Sequence, residues 1–346
     1  MTTRIGAKTK EQDRKADVVL LLLLVAFVAA FFVSFALGRY PIGPTTLVKV
    51  LASRIFDIER TWTAQVETVV FNIRLPRVLI GAFIGAGLSL SGLVYQGVFR
   101  NPMVSPDVLG STSGAGVGSA LGILLGMGYL AISAMSFLGG LAAVVLVVMV
   151  ARRVPSQPVL GLVLAGIMIS SLFSSTLSFI KLVADTDDVL PQITYYLIGS
   201  LTSTRTSDLV GCAVIISASS IVLYMIRWQL NVMTLGEEEA TSLGVDTRLI
   251  RGIAIVGATL MTAVSTAAAG MIGWVGLVIP HLVRMLVGAD YRHTIPACLL
   301  LGSTFLMVVD TVSRTITTSE IPIGILTSFI GAPFFLYLII REGRRT

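Results

Sequence analysis

Three consecutive carboxylates, Glu237, Glu238 and Glu239, interrupt a chain that is 55% hydrophobic and only 13% charged. An ionised group in hydrocarbon costs at least about 2–3 kcal/mol, so this run must face water, where it is free to attract a basic partner. Gly236 and Gly244 flank it and permit tight turns. Other residues fit for chemistry are few. His281 follows Pro280 near a helix end, where a hydrogen-bonded structural role is preferred over a ligand or proton relay. His293 sits in a turn with Asp290 and Arg292 and reads as solvated. Cys212 and Cys298 fall in separate apolar runs without CxxC or Cys/His spacing, so they read as small hydrophobes and not as a disulfide or metal framework. Gly87-Leu88-Ser89 with His281 as base is the one arrangement that an intramembrane hydrolase would use, but Gly-x-Ser arises by chance wherever small residues crowd a helix. No His-Glu-x-x-His exists, and no Gly-x-x-x-x-Gly-Lys-Ser/Thr is present to cradle phosphates. No catalytic or metal-ligating residue is therefore expected.

A second unusual group is positive. Arg74-Leu75-Pro76-Arg77 places two arginines beside a proline at the mouth of an apolar run. Two readings stand: interfacial anchoring to lipid phosphate, or docking of an acidic surface from a soluble partner.

The elements that position these groups are membrane spans. Mean hydropathy is +0.89, and the 346 residues divide into long charge-free runs. About 20 such residues cross about 30 Å of hydrocarbon. The chain opens with Arg4, Lys8, Lys10, Arg14 and Lys15, then a 21-residue charge-free run from Val18 to Gly38. That run is too long for a signal-peptide core and reads as a retained first helix. Val108 to Ala151 lacks charge over 44 residues and Gly252 to Val283 over 32, so each holds two crossings. The count is ten spans, at about 18–38, 78–99, 108–127, 130–151, 158–181, 208–227, 252–270, 273–289, 294–312 and 323–340, with a polar loop at 229–250. Val189 to Thr204 is too short to span and fits an interfacial helix anchored by Tyr195-Tyr196.

An even count puts both termini on one side. That side collects 16 of the 25 basic residues, which makes it cytoplasmic and places the glutamate run there too. Arg74, Arg77 and Arg314 fall outside. Glycines 110, 114, 118, 122 and 126 recur every four residues. They leave a side-chain-free strip along one helix that suits close helix packing better than a smooth pore wall. Asn101-Pro102 and Ser105-Pro106 force extended conformations before each proline and shape a cytoplasmic loop beside the glutamate run.

Several stretches resemble the permeases of ABC importers for vitamin B12, iron siderophores and haem, the FecCD-type family. They are Arg74 to Arg77; Tyr95-Gln96-Gly97-Val98-Phe99-Arg100-Asn101-Pro102-Met103-Val104-Ser105-Pro106-Asp107; Leu109-Gly110-Ser111-Thr112-Ser113-Gly114-Ala115; Gly236 to Val245; Gly276 to Arg284; Asp310 to Arg314; Glu320 to Gly324; and Gly331-Ala332-Pro333. The resemblance covers essentially residues 18 to 341. It implies an all-α integral membrane protein of ten helices per subunit with cytoplasmic termini, helices 2–5 and 7–10 forming an inverted repeat that leaves no echo in this sequence. It implies that Gly236, Glu237, Glu238, Glu239, Ala240, Leu243 and Gly244 couple to an ATPase, supported by the loop of Asn101, Pro102 and Pro106. Arg74, Arg77 and Arg314 would dock an extracytoplasmic substrate-binding protein. Ser156, Gln157, Gly161 and Gly166 would form the inner gate and pathway, although the hydroxyl-rich gate of the family is reduced here to Ser156 and Gln157.

The implied partners are a second permease subunit, identical or not, two ATPase subunits and the binding protein, in membrane lipid and without nucleic acid. The implied location is a bacterial or archaeal cytoplasmic membrane. No cofactor is expected on this chain, ATP and Mg residing on the ATPase. The expected cargo is a metal chelate: a ferric siderophore, haem or a cobalamin. A stand-alone channel or secondary transporter would need ionisable residues within the spans, and almost none occur, Asp310 lying at an expected outer end.

Overall fold

The computed structural model describes residues 2–342 apart from 39, 41, 55, 154–157, 203 and 318. The described residues are helical, without a strand. In chain order the helices are α1 (Thr2–Ala36), α2 (Pro44–Ala52), α3 (Ala64–Thr68), α4 (Leu75–Val98), α5 (Ser111–Leu124), α6 (Tyr129–Ala151), α7 (Pro158–Val183) and α8 (Val189–Ile198). They continue with α9 (Thr206–Met225), α10 (Arg227–Met233), α11 (Glu237–Ser242), α12 (Thr247–Ala269), α13 (Val275–Val287), α14 (Tyr291–Thr315) and α15 (Ile323–Glu342). A π-helical turn, Val69–Arg74, joins α3 to α4, and a 3-10 turn, Pro106–Leu109, precedes α5.

Among the described residues, seven stretches are long and apolar enough to cross a membrane: Asp13–Ala36, Ala64–Val98, Tyr129–Ala151, Val159–Val183, Thr206–Met225, Thr247–Ala269 and Tyr291–Thr315. Two of the other expected spans, 108–127 and 273–289, are shorter as helices because the backbone breaks where hydropathy does not. The run expected at 108–127 holds a helix of only 14 residues. Gly110 (φ 72) sets its start in the left-handed region, and Gly126 (φ 63) lies just past its end. The run at 273–289 holds 13 helical residues, preceded by a turn with Gly270 at φ 72 and Trp274 at φ 70. At 78–99 the helix starts earlier, so Arg74 and Arg77 lie along helical backbone and not at an open mouth. The polar loop expected at 229–250 is largely helical: α10, α11 and the first turn of α12.

The core is built round α4. Its apolar window is 89% buried, against 22% for those of α1 and α7, and it packs on α14, α12, α13 and α9. The glycine strip works as a packing surface. A Cβ on Gly114 would collide with the carbonyl of Gly139, and one on Gly118 with that of Met135, so α5 and α6 meet backbone to backbone.

Side-chain contacts sort the residues into two ends. Near the C-terminal end of α4, Gln96 accepts from Arg284 and the Tyr291 hydroxyl donates to Leu93 O at 3.4 Å. Asn231 donates to Asp290 at 2.7 Å and Glu237 pairs with Arg251 at the same end. At the other end Arg77 meets Asp310 and Glu320, Thr202 donates to Glu320, and Ser34 meets Thr311 at 2.9 Å. The division follows the one that charge counting makes between a basic face and a face holding Arg74, Arg77 and Arg314.

Candidate functional site

At the first end, α11 is a short helix held from beneath and open above. Gly236 (φ 146) begins it, and Gly244 (φ 80) follows its end. Both adopt backbone that a side chain would strain. Ala240 and Val245 are buried and anchor it, while Leu243 is 55% exposed. Glu238, Glu239, Thr241 and Ser242 are exposed as well. Glu237 departs from the expectation that the whole run faces water. Its carboxylate is tied to Arg251, a largely buried residue of α12, because a cation there requires a counter-charge. The chain continues into α12 through Asp246, which accepts from the amides of Arg248 and Leu249 at 3.1 Å. On the other side Asn231 of α10 also accepts from Tyr291 N at 2.9 Å, fixing α10 to the start of α14. The result is an apolar knob rimmed by two carboxylates on rigid supports.

The loop expected to support this knob lies against it. Arg100, in the left-handed region at φ 48, brings its guanidinium to 3.7 Å from the position of a Cβ on Gly236. Asn101 Oδ1 accepts from Met103 N at 2.9 Å, closing the turn around Pro102. The Pro106 ring packs on Gly276 of α13.

At the opposite end the three arginines converge, but inward. Arg74 (4% exposed) donates to the carbonyls of Phe35 and Tyr40, and Arg314 (7% exposed) to that of Ser34. The last carbonyls of a helix have no partners within it, so these two guanidiniums complete the end of α1. Arg77 donates to Asp310 from Nε at 2.9 Å and Nη2 at 2.8 Å, and to Glu320 from Nη1 at 3.1 Å and Nη2 at 2.9 Å. Asp310 also lies 3.3 Å from Arg314 Nε. The expectation of an open arginine cluster is thereby corrected: long-range contacts with α1 and α14 fold Arg74 and Arg314 into the bundle. Asp310, expected at an outer end, lies at this end and is buried there.

Arg77 lines the wall of a recess of about 400 Å³ with Asn72, Thr202, Thr204, Arg205 and Thr206. Arg205 is exposed and stacks over the Tyr129 ring at 4.4 Å. Sequence reading passed over it. Its signal was its place just before Asp208, whose carboxylate accepts from Arg205 N at 2.7 Å and from the Tyr129 hydroxyl at 2.6 Å.

Of the expected gate, Ser156 and Gln157 lie outside the described residues. Gly161 and Gly166 are buried within the subunit, on a helix that packs on α5 and α6. The polar face of α7 lies farther along. Ser171, Ser174, Ser175 and Ser178 are exposed and share one side by their spacing of three and four. Leu164 and Ile167 bound that strip at one end and Leu182 at the other. His293, expected to be solvated, is 6% exposed in the first turn of α14, with Nε2 4.0 Å from Asp17 Oδ1. Among the described residues no cluster of three His, Cys, Asp or Glu could hold a metal, and both cysteines are buried free thiols.

The pattern defining the FecCD transport family matches residues 23–341. The molybdate import system permease protein MolB of Haemophilus influenzae is 36% identical over 94% of this chain and 96% of its own length. The cobalamin import system permease protein BtuC of Halobacterium salinarum is 40% identical over 80% of this chain and 74% of its own. Among solved structures, one described as an inward-facing metal-chelate-type ABC transporter superposes with a TM-score of 0.84 at 35% identity, covering 94% of this chain and 99% of the other.

Proposed function

The chain belongs to the FecCD transport family and is an ABC transporter permease, and from that premise we propose that it forms the membrane part of an ATP-driven importer for a metal chelate. In this reading ten helices cross the membrane: the seven long ones, with α5, α13 and α15. The termini and α11 face the cytoplasm, in a bacterial or archaeal inner membrane. A second permease subunit completes the pathway, two ATPase subunits bind ATP and Mg and push on α11, and an extracytoplasmic binding protein delivers the cargo. The chain itself has no phosphate-cradling loop, so the energy must come from another subunit.

One observation carries the reading: α11 holds Leu243 and two carboxylates outward while Ala240, Glu237 and Arg251 fasten it to the bundle. An exposed leucine among carboxylates suits a partner with an apolar groove edged by basic residues. Held so firmly, it passes a push on to α12, which packs on α4. The test is uptake in proteoliposomes containing the assembled transporter, comparing parent with Leu243→Glu. Equal uptake at equal incorporation rejects the coupling role.

The cargo is read as a ferric siderophore, haem or cobalamin. A second cargo class, an oxyanion such as molybdate, is favoured by the similarity to a molybdate permease and by the hydroxyl strip of α7, which suits a small hydrated solute. Uptake of radiolabelled molybdate against labelled cobalamin by the same vesicles separates the two.

A further inference from the structure

The α4 helix closes with two crossed backbone bonds, from Asn101 N to Gln96 O at 3.0 Å and from Arg100 N to Gly97 O at 3.1 Å. This closure passes the chain through one left-handed residue, a place that glycine usually fills. Here it is Arg100, at φ 48. An arginine gives up backbone stability there relative to glycine, and strain of this kind points to a use for the side chain. That side chain is exposed, and among the described residues no carboxylate lies within ion-pairing distance of it. The acids of this end are engaged elsewhere or set apart. Glu237 is bound to Arg251, Asp246 accepts from the amides that open α12, and Asp290 accepts from Asn231 and Arg292 N. Asp13 and Asp17 lie on α1, Asp17 facing His293, and Asp107 lies outside the described side chains. Glu239 comes nearest: its Oε2 and Arg100 Nη1 both border the Cβ position of Gly236, yet the two charges do not pair. Arg251, already matched to Glu237, stands within Coulombic range of Arg100 and adds to the positive field.

We propose that Arg100 seats a carboxylate of the ATPase subunit, as the positive half of a face whose negative half is Glu238 and Glu239. This rests on the coupling role given to α11 and adds a charge that the partner must carry, an acid set beside its bases. The fork of an arginine binds both oxygens of a carboxylate, which fixes direction as well as contact. A knob met only by bases can rotate in its groove, whereas a third charge of opposite sign sets the register and rejects partners that lack the acid. The position of Arg100 favours a protein over lipid phosphate. The apolar window of α4 is 89% buried, so this helix ends in the middle of the face, beside α11, and not at its lipid perimeter.

The experiment measures binding of the cognate ATPase subunit to the purified permease in phosphatidylcholine nanodiscs, with melting temperature read in parallel. Arg100→Gly removes the charge and relieves the turn. It should melt no lower than the parent and bind the ATPase about tenfold more weakly, the worth of one charge-assisted hydrogen bond. The difference should shrink as salt rises, and Arg100→Lys should keep part of the affinity. Arg292→Gln, which removes another exposed cation of this end, should bind like the parent. Unchanged affinity in Arg100→Gly overturns the proposal. So does a lower melting temperature, which would make Arg100 a brace of its own turn, or an equal loss in Arg292→Gln, which would mean diffuse attraction. A loss that appears only in nanodiscs containing phosphatidylglycerol overturns it as well, since the anion is then lipid. Leu243→Glu is measured alongside. If it weakens binding and Arg100→Gly does not, the proposal fails and the coupling role stands; if neither does, both fail; the reverse result keeps Arg100 and removes the knob.

Discussion

Arg77 and Asp310 are joined by bonds of 2.8 and 2.9 Å between α4 and α14, 233 positions apart in the chain, and both are largely removed from solvent. Asp310 is also the counter-charge of Arg314. One carboxylate thus neutralises two guanidiniums in the interior, and breaking a buried pair from one side typically costs about 3–5 kcal/mol. Asp310→Asn is expected to lower the melting temperature of the purified permease sharply. Glu320→Gln, at a more exposed position, should cost far less. Equal melting of Asp310→Asn and parent would show that Arg77 and Arg314 find other partners.

The α5–α6 contact gives a steric prediction. A methyl group at Gly118 has no room beside Met135 O, and overpacking of this kind costs about 1–3 kcal/mol or more. At Gly126 nothing lies within 4 Å, and alanine there meets only the strain of its positive φ, about 1–2 kcal/mol. Gly118→Leu should therefore abolish stable expression while Gly126→Ala is tolerated. Similar expression of the two would refute the close crossing.

The sequence made the division into two faces legible because charges tolerate neither hydrocarbon nor dispersal: Glu237, Arg251 and Arg284 collect at one end, Arg77 and Glu320 at the other. The acidic knob was legible too, since carboxylates between two glycines leave few conformations open. The fate of Arg74 and Arg314 was not. Their partners are backbone carbonyls of Ser34, Phe35 and Tyr40, and a carbonyl has no residue type to betray it. Breaks at Gly110 and Trp274 were hidden because hydropathy counts charges and ignores backbone angles. His293 looked wet because Asp290 and Arg292 flank it, yet the first turn of α14 is covered by its neighbours.

Sidedness is tested by labelling. Cys212 and Cys298 are fully buried, so the native thiols should give little background with an impermeant maleimide. Single cysteines at Glu238 and Arg153 should react only after the membrane is opened, and one at Lys49 on intact cells. Labelling of Glu238→Cys on intact cells would place α11 outside and end the coupling proposal.

Leu243→Glu isolates coupling from folding. The side chain is exposed, and surface changes of this kind usually fall within about 0.5 kcal/mol. Melting should match the parent, while uptake and any cargo-stimulated ATP hydrolysis by the assembled transporter fall together. Lower uptake with a lower melting temperature would point to misfolding and not to a lost contact.

Docking of a binding protein must be tested where charge reaches the surface. Arg74 and Arg314 complete the end of α1, so Arg74→Glu buries a carboxylate against the carbonyls of Phe35 and Tyr40. That variant should fail by unfolding and says nothing about docking. Arg205 is different: it is exposed, its guanidinium rests on Tyr129, and it opens onto the recess shared with Asn72, Thr202 and Thr204. A carboxylate entering there gains charge-assisted bonds from Arg205 and a neutral one from the Asn72 amide. Arg205→Glu should leave melting nearly unchanged and weaken binding of the cognate binding protein. The loss should be greatest below about 0.05 M salt, where screening is least. Reversal of an acidic residue on the partner should restore part of the affinity. If Arg205→Glu folds normally and binds its partner unchanged at low salt, the recess lies outside the docked surface.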